Sequence, residues 1–152
     1  MLKMVRIALV SLGLAITGGA AEAATAEQEQ TFLDTYKTAF EAEDAETLRG
    51  LLHTDGAEPM AVEFYAEMMV ADFGGKITNI GLRAMTPDEE AEAASELDGP
   101  TGGKFVLLPK PYKKFFVEIE ITDANGSSKG TSEAYVAEVD GRIVIATPAP
   151  VK

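Results

Sequence analysis

Residues 115–122 read FFVEIEIT, and this alternation decides the kind of fold that the chain adopts. In an extended strand, the apolar side chains at every second position share one side, while the residues between them share the other. The apolar side carries Phe115, Val117, Ile119 and Ile121, and the other side carries Phe116, Glu118, Glu120 and Thr122. A strand with one apolar side is typical of an antiparallel sheet that is covered on a single face.

Further strands are predicted around this one. They cover residues 76–85, 104–108, 131–139 and 142–146. Asn125-Gly126 and Asp140-Gly141 supply the residues that tight hairpin turns require, so the last three strands form a meander. Pro148 and Pro150 are expected to end regular structure.

Helical spacing governs the chain before residue 75. A first helix is predicted over residues 26–42, a short second helix is capped by Asp44, and a third runs from Pro59 to about Phe73. The third is apolar on most sides, so we expect it to lie deep in the fold. Thr86 begins another short helix, which is expected to reach Leu97.

Three helices followed by an antiparallel meander predict a single α+β domain over residues 24–152, with the helices on one sheet face. The runs FLDTY (residues 32–36) and FEAEDAETL (residues 40–48), with the third helix and the hairpins, resemble the nuclear transport factor two-like, or cystatin-like, α+β roll. The resemblance implies a curved sheet around a cone-shaped pocket, often with dimerisation through the sheet. Members include isomerases, dehydratases, small-molecule binders and accessory domains, so the fold alone selects no function.

The first 23 residues have the layout of a bacterial secretory signal peptide. Lys3 and Arg6 precede an apolar run over residues 7–16, and Ala21 and Ala23 supply the small residues before a cut. The run is about half the roughly 20 residues that a membrane-spanning helix needs, which disfavours the alternative of an uncleaved anchor. We therefore expect an exported protein, periplasmic or secreted, with no stable membrane anchor after cleavage.

Composition excludes several classes of function. The chain of 152 residues has 13 basic and 25 acidic residues, a net charge of −12, one histidine and no cysteine. Such acidity argues against nucleic-acid binding. Four lysines at positions 104, 110, 113 and 114 are interpreted as residues that protect a sheet edge, with an anion-binding patch as the alternative. No cofactor motif or cluster of metal ligands occurs in the sequence, so neither a cofactor nor a metal is expected.

No set of catalytic residues stands out. Tyr36, Tyr65 and Tyr135 fall on apolar positions, where they are core residues or, as the functional alternative, line a ligand pocket. Isomerases and lyases of such a fold need a pocket acid or histidine beside a group that stabilises an anion. Asp34 and Asp72 are the candidate acids, although each also suits a solvated helix face.

We therefore expect a non-enzymatic exported domain that binds a small apolar ligand or a protein partner. The first alternative is an isomerase or lyase that uses a pocket carboxylate with a tyrosine as donor. The second is a structural module that forms a homodimer through the sheet face around Phe116.

Overall fold

The computed structural model describes residues 24–152, and the predicted signal peptide lies outside them. Its elements follow in the order α1 (Ala26–Glu41), α2 (Ala45–Arg49), α3 (Pro59–Val70), β1 (Lys76–Arg83), α4 (Pro87–Ala94), β2 (Leu97–Asp98), β3 (Lys104–Leu108), β4 (Lys113–Asp123), β5 (Gly126–Val139), β6 (Arg142–Ile145) and β7 (Thr147–Pro150). Three helices precede antiparallel sheets, so the predicted α+β class is confirmed.

The larger sheet has four antiparallel strands in the order β1-β4-β5-β6. Its centre is the hairpin of β4 and β5, which pair continuously from Lys113 opposite Val136 to Asp123 opposite Gly126. A smaller sheet has the order β2-β3-β7; β2 and β3 precede β4 in the chain, which returns to this sheet with β7 directly after β6. The predicted meander is thus confirmed, and the smaller sheet extends it.

Helix α1 packs its aromatic side chains on the apolar side of β4. The rings of Phe32 and Phe115 meet edge to face with centroids 5.3 Å apart, and Tyr36 lies 4.8 Å from the same Phe115 ring. One turn further, Phe40 meets Phe73 at 5.5 Å. Since the three α1 side chains are only 1–4% exposed, this contact forms the centre of the core.

Side-chain caps explain where α1, α2 and α4 begin, whereas α3 begins at Pro59 without one. Thr25 and Gln28 form a reciprocal capping box at α1, and the Asp44 carboxylate accepts a 3.0 Å hydrogen bond from the Thr47 amide at α2. Thr86 and Glu89 repeat the capping box at α4. The predicted helix starts at Asp44, Pro59 and Thr86 are therefore confirmed.

Three boundary predictions are wrong. The helix after Thr86 ends at Ala94, because Leu97 and Asp98 pair with β3 as a short strand. β5 begins at Gly126 instead of residue 131, since the tight turn lets pairing start at once. Residues 147–150 form β7 despite their two prolines, because β7 is an edge strand and needs backbone N–H donors only on the side facing β3.

The expected burial of the third helix is also wrong. Val62 is the only buried residue of α3, whereas Met60, Phe64 and Met68 are 70%, 58% and 54% exposed. Phe64 and Met68 border a cavity, so this part of α3 faces open space instead of packed side chains.

Candidate functional site: an apolar cavity beside α3

A cavity of about 320 Å³ lies between α3 and the larger sheet. Its lining comes from α1, α3, the loops after α2 and α3, and strands β4 to β6: Tyr36, Leu52, Phe64, Tyr65, Met68, Met69, Asp72, Lys114, Phe115, Ile119, Ser132, Glu133, Ala134, Tyr135 and Ile145. Most of these side chains are apolar or aromatic, as is usual for small-molecule sites, and the volume is near the lower end of their range of about 300–1,000 Å³.

Tyr36 and Tyr65 bring two hydroxyl groups to this cavity. Neither hydroxyl makes a side-chain hydrogen bond within residues 24–152, yet no buried polar side-chain atom there lacks a partner, so both oxygens keep accessible surface. Burial, and to a smaller extent the nearby Asp72 carboxylate, raises the pKa of Tyr36 to about 12. Burial likewise raises the pKa of Tyr65. Both groups are therefore neutral hydrogen-bond donors at physiological pH.

Tyr135 also lines the cavity, but its hydroxyl is engaged elsewhere. It donates a 2.8 Å hydrogen bond to Glu92 on α4, and the Lys114 ammonium lies 4.6 Å from the ring centroid. Tyr135 pairs with Lys114 across the hairpin, one residue out of step with the core pair of Phe115 and Ala134. Of the three tyrosines, Tyr36 and Tyr65 thus have hydroxyls available to a ligand, whereas the Tyr135 hydroxyl is already paired.

The two candidate acids are separated. Asp72 is half-buried and lines the cavity, and its charge contributes to the raised pKa of Tyr36. Asp34 is exposed on α1, accepts a 2.8 Å hydrogen bond from Gln30 and faces an open depression on the other side of the helix. Asp72 is therefore the acid that shares the cavity with Tyr36 and Tyr65.

An ion-pair network borders the cavity, whose lining includes Lys114 and Glu133. Lys114 contacts Glu89 at 3.3 Å and Glu133 at 3.4 Å, and Arg83 bridges the same two carboxylates at 2.7 and 3.1 Å. Hydrogen bonds from Arg83, with smaller contributions from the Thr86 amide and Lys114, hold the pKa of Glu89 far below its usual value. The charge of Lys114 is therefore already balanced by protein groups.

The interpretation of the lysines as sheet-edge residues is wrong for two of the four. Lys113 and Lys114 lie on β4, which has β1 on one side and β5 on the other. Lys113 instead binds Glu29 of α1 at 2.7 Å, and the Tyr112 hydroxyl donates to the same carboxylate at 3.0 Å. These lysines hold helices to the sheet and form no open patch for an anion.

Phe116 lies on the sheet side opposite the core, as its position in β4 predicts. It is half-buried because its ring covers Gly81 of β1, where an added methyl group would lie 2.7 Å from a ring carbon. Glu133 is its neighbour on β5. A dimer contact through this face stays a prediction.

Apart from Tyr65, the residues of α3 that line the cavity were not predicted from the sequence. Phe64, Met68 and Met69 supply much of the apolar wall, and the usable signal was a helix with more apolar residues than one buried face can use. No group of three or more histidine or acidic side chains in the described range is arranged to hold a metal ion. No helix described there is long and apolar enough to cross a membrane.

Searches of protein-family models and of curated proteins found no match. Solved structures with a similar backbone include the helical cell shape determining protein Pgp2 from Campylobacter jejuni, at 15% identity and a TM-score of 0.42 over 76% of this chain. This chain spans 37% of the length of that protein.

Two further solved structures are closer to this chain in length. A calcium/calmodulin dependent protein kinase II association domain from Xanthomonas campestris matches 88% of this chain and 93% of its own, with 15% identity and a TM-score of 0.39. A designed nuclear transport factor two-like protein matches 79% and 93%, with 11% identity and a TM-score of 0.38. No function is carried over from these loose likenesses. Residues 24–152 themselves have the α+β arrangement that the resemblance implied, with three helices followed by antiparallel sheets.

Proposed function

We propose that the cavity binds a small, largely apolar ligand and that the protein acts by binding instead of catalysis. The observation that carries this proposal is a cavity of about 320 Å³ whose walls are mainly aromatic, aliphatic and methionine side chains. Such walls favour apolar surface because transfer from water stabilises the complex by about 25 cal/mol for each Å² buried. Flexible methionines let the walls adapt to the shape of the ligand.

The polar groups of the cavity define the ligand more closely. Tyr36 and Tyr65 are neutral donors, and the Asp72 carboxylate is an acceptor beside them. A single polar group on an otherwise apolar ligand would satisfy these partners and fix its orientation. Asp72 makes no ion pair within residues 24–152, so we expect a neutral or cationic ligand to bind more tightly than an anionic one.

Filling the cavity tests this proposal. Ala134 lines it and packs against the core, so Ala134→Phe places a ring in the binding volume. We expect the affinity for the neutral fluorescent probe N-phenyl-1-naphthylamine to fall by at least about tenfold, which corresponds to about 1.4 kcal/mol. Thr131→Phe adds the same ring at an exposed position of β5 and is the matched control.

A second control separates the cavity from the apolar surface of α3. Met60 is 70% exposed and lies outside the cavity lining, so Met60→Ser should leave probe binding unchanged. Full affinity in the folded Ala134→Phe variant, with a loss in Met60→Ser, would move the probe to the helix surface and refute the cavity as its site. Thermal unfolding establishes that each variant is folded.

The isomerase or lyase alternative assigns Asp72 as the base and Tyr36 as the proton donor. What supports it is their shared cavity, but proton transfer also needs a substrate atom held between them. Turnover of a carbonyl compound that is abolished by both Asp72→Asn and Tyr36→Phe, with ligand binding retained, would replace the binding function by catalysis.

The dimer alternative and the export proposal have separate tests. If the sheet face around Phe116 holds two copies together, Phe116→Glu will halve the mass measured in solution, and an unchanged mass refutes this.

We also propose export with cleavage after Ala23. Amino-terminal sequencing of the protein recovered outside the cytoplasm should then begin at Ala24.

A further inference from the structure

Helix α3 carries a line of exposed apolar side chains, which we call the α3 stripe: Met60, Phe64 and Met68. They are spaced four residues apart and therefore lie on one side of the helix over about 12 Å. Their exposures of 70%, 58% and 54% are the highest among the large hydrophobic residues between 24 and 152. Because exposed apolar surface of this kind is unfavourable in water, its continuity along a helix indicates a docking surface.

Acidic residues border the α3 stripe. Glu63 and Glu67 lie on one flank, one residue before Phe64 and Met68 respectively, and Asp72 lies on the cavity side. Glu63 is paired with Arg49, whereas Glu67 and Asp72 have no ion-pair partner within the described range. Residues 58–75 contain no lysine, arginine or histidine. The surface is thus an apolar line between negative charges.

We propose that the α3 stripe is the docking site for a basic amphipathic helix of another protein. Aliphatic side chains spaced three and four residues apart on that helix would pack on the stripe, as in other helix-in-groove complexes. Its lysines and arginines would face Glu67, Asp72 and, at the edge, the partly neutralised Glu63. The methionines accommodate different apolar side chains with little strain.

Charge favours a basic helix over a second copy of this chain or an anionic membrane as the occupant of the α3 stripe. Residues 24–152 hold 11 basic and 24 acidic residues, a net charge of −13, so a second copy would bring like charges together at the same stripe. An anionic lipid surface is repelled by the same carboxylates. A basic helix is the occupant for which both the apolar line and its acidic borders are favourable.

Variants can test the docking proposal separately from the small-ligand proposal. Phe64 and Met68 belong both to the stripe and to the cavity lining, whereas Met60 belongs to the stripe and Ala134 to the cavity. Met60→Ser should therefore weaken helix docking and spare probe binding, and Ala134→Phe should do the reverse. This pair of variants distinguishes failure of one proposal from failure of the other.

The experiment measures fluorescence anisotropy of a labelled model peptide on the purified full chain. The peptide contains only leucine and lysine, ordered so that the leucines form one helical face; a shuffled peptide of the same composition is the control. We expect saturable one-to-one binding, with helix formation in circular dichroism and affinity at least about tenfold above that of the shuffled peptide. A double variant, Met60→Ser with Phe64→Ser, should lose at least about tenfold in affinity, and Glu67→Lys about three- to tenfold.

Ile121→Ser is the matched control, because Ile121 is 38% exposed on β4 and lies outside both the stripe and the cavity lining. Equal binding of the shuffled peptide, or no effect of the double variant, would overturn the proposal by showing attraction through net charge alone. Self-association abolished by the double variant, or binding to anionic vesicles as tight as to the peptide, would assign the surface to a second copy or to a membrane instead.

Discussion

In α1 the large aromatic residues are only 1–4% exposed, while in α3 the three residues of the stripe are 54–70% exposed. α1 has 16 residues and α3 has 12, and both contribute to one cavity. They differ in their second face: α1 is polar away from the sheet, whereas α3 has apolar residues on both sides. Apolar content alone therefore does not determine whether a helix is buried. A helix buries an apolar face only where another element packs against it.

The helices also differ in how they are anchored. α1 has a reciprocal capping box and its Glu29 accepts from both Tyr112 and Lys113 of the sheet region. α3 begins without a side-chain cap and is tied to α2 by the exposed pair of Arg49 and Glu63. We interpret α1 as the structural support of the cavity and α3 as its adaptable wall.

Truncating one phenylalanine in each helix tests the contrast between α1 and α3, and it should give the largest change in stability. Phe40 is 1% exposed and packs on Phe73, so Phe40→Ala should lower the free energy of unfolding by about 3–5 kcal/mol. Phe64 is 58% exposed, so Phe64→Ala should cost less than about 1 kcal/mol. Urea unfolding followed by circular dichroism measures both. Equal losses would mean that α3 is as deeply integrated into the core as α1.

A sequence pattern predicts which face of an element is buried only where polar and apolar residues fall on different faces. α1 and β4 were predicted because polar and apolar residues alternate with a clear period, and the starts at Asp44 and Thr86 because capping is local. The exposure of α3 could not be predicted, because an apolar helix marks no outer face. β7 was missed because its prolines are tolerated only by an edge position, which is a property of the whole sheet.

Some residues of the candidate site follow from the sequence pattern, and others depend on the tertiary packing. Tyr36 and Tyr65 lie at the cavity because both point inward from helices whose positions the element order fixes. The sequence pattern placed Tyr135 on an apolar position, whereas strand pairing puts it on the side of β5 that also carries Thr131 and Glu133. The volume of the cavity depends on how α1 and α3 pack against the sheet. The same packing places Asp72, and not Asp34, at the cavity, and no local sequence pattern encodes it.

Substitutions at the N-cap residues of α1 and α3 should have intermediate and opposite effects on stability. Thr25→Ala removes the hydroxyl that accepts from the Gln28 amide of α1 and should cost about 1 kcal/mol. Glu58 precedes α3 with no side-chain cap, so Glu58→Ser should raise stability by about 0.5–1 kcal/mol. Thermal unfolding detects both changes. A destabilised Glu58→Ser variant would show that the start of α3 is held by contacts other than capping.

The smallest effect concerns the pair of Arg49 and Glu63. Hydrogen bonds from Arg49 lower the pKa of Glu63 below its usual value. A lowered carboxyl pKa stabilises the folded state above the unfolded pKa of about 4.3, and this contribution is lost as the pH falls through the folded-state pKa. Glu63→Gln should therefore reduce stability slightly at pH 7, and its difference from the unchanged protein should shrink below pH 4.

Hydrogen exchange locates that effect on one helix. Since the pair joins α2 to α3, Glu63→Gln should speed exchange of the α3 amides at pH 7 and leave α1 protected. Glu67→Gln removes an acid from the same helix without breaking an ion pair and serves as the control. If α1 amides lose protection together with those of α3, the two helices open as one cooperative unit. In that case α3 could not move independently as the wall of the cavity, and the assignment of α1 as support and α3 as adaptable wall would fail.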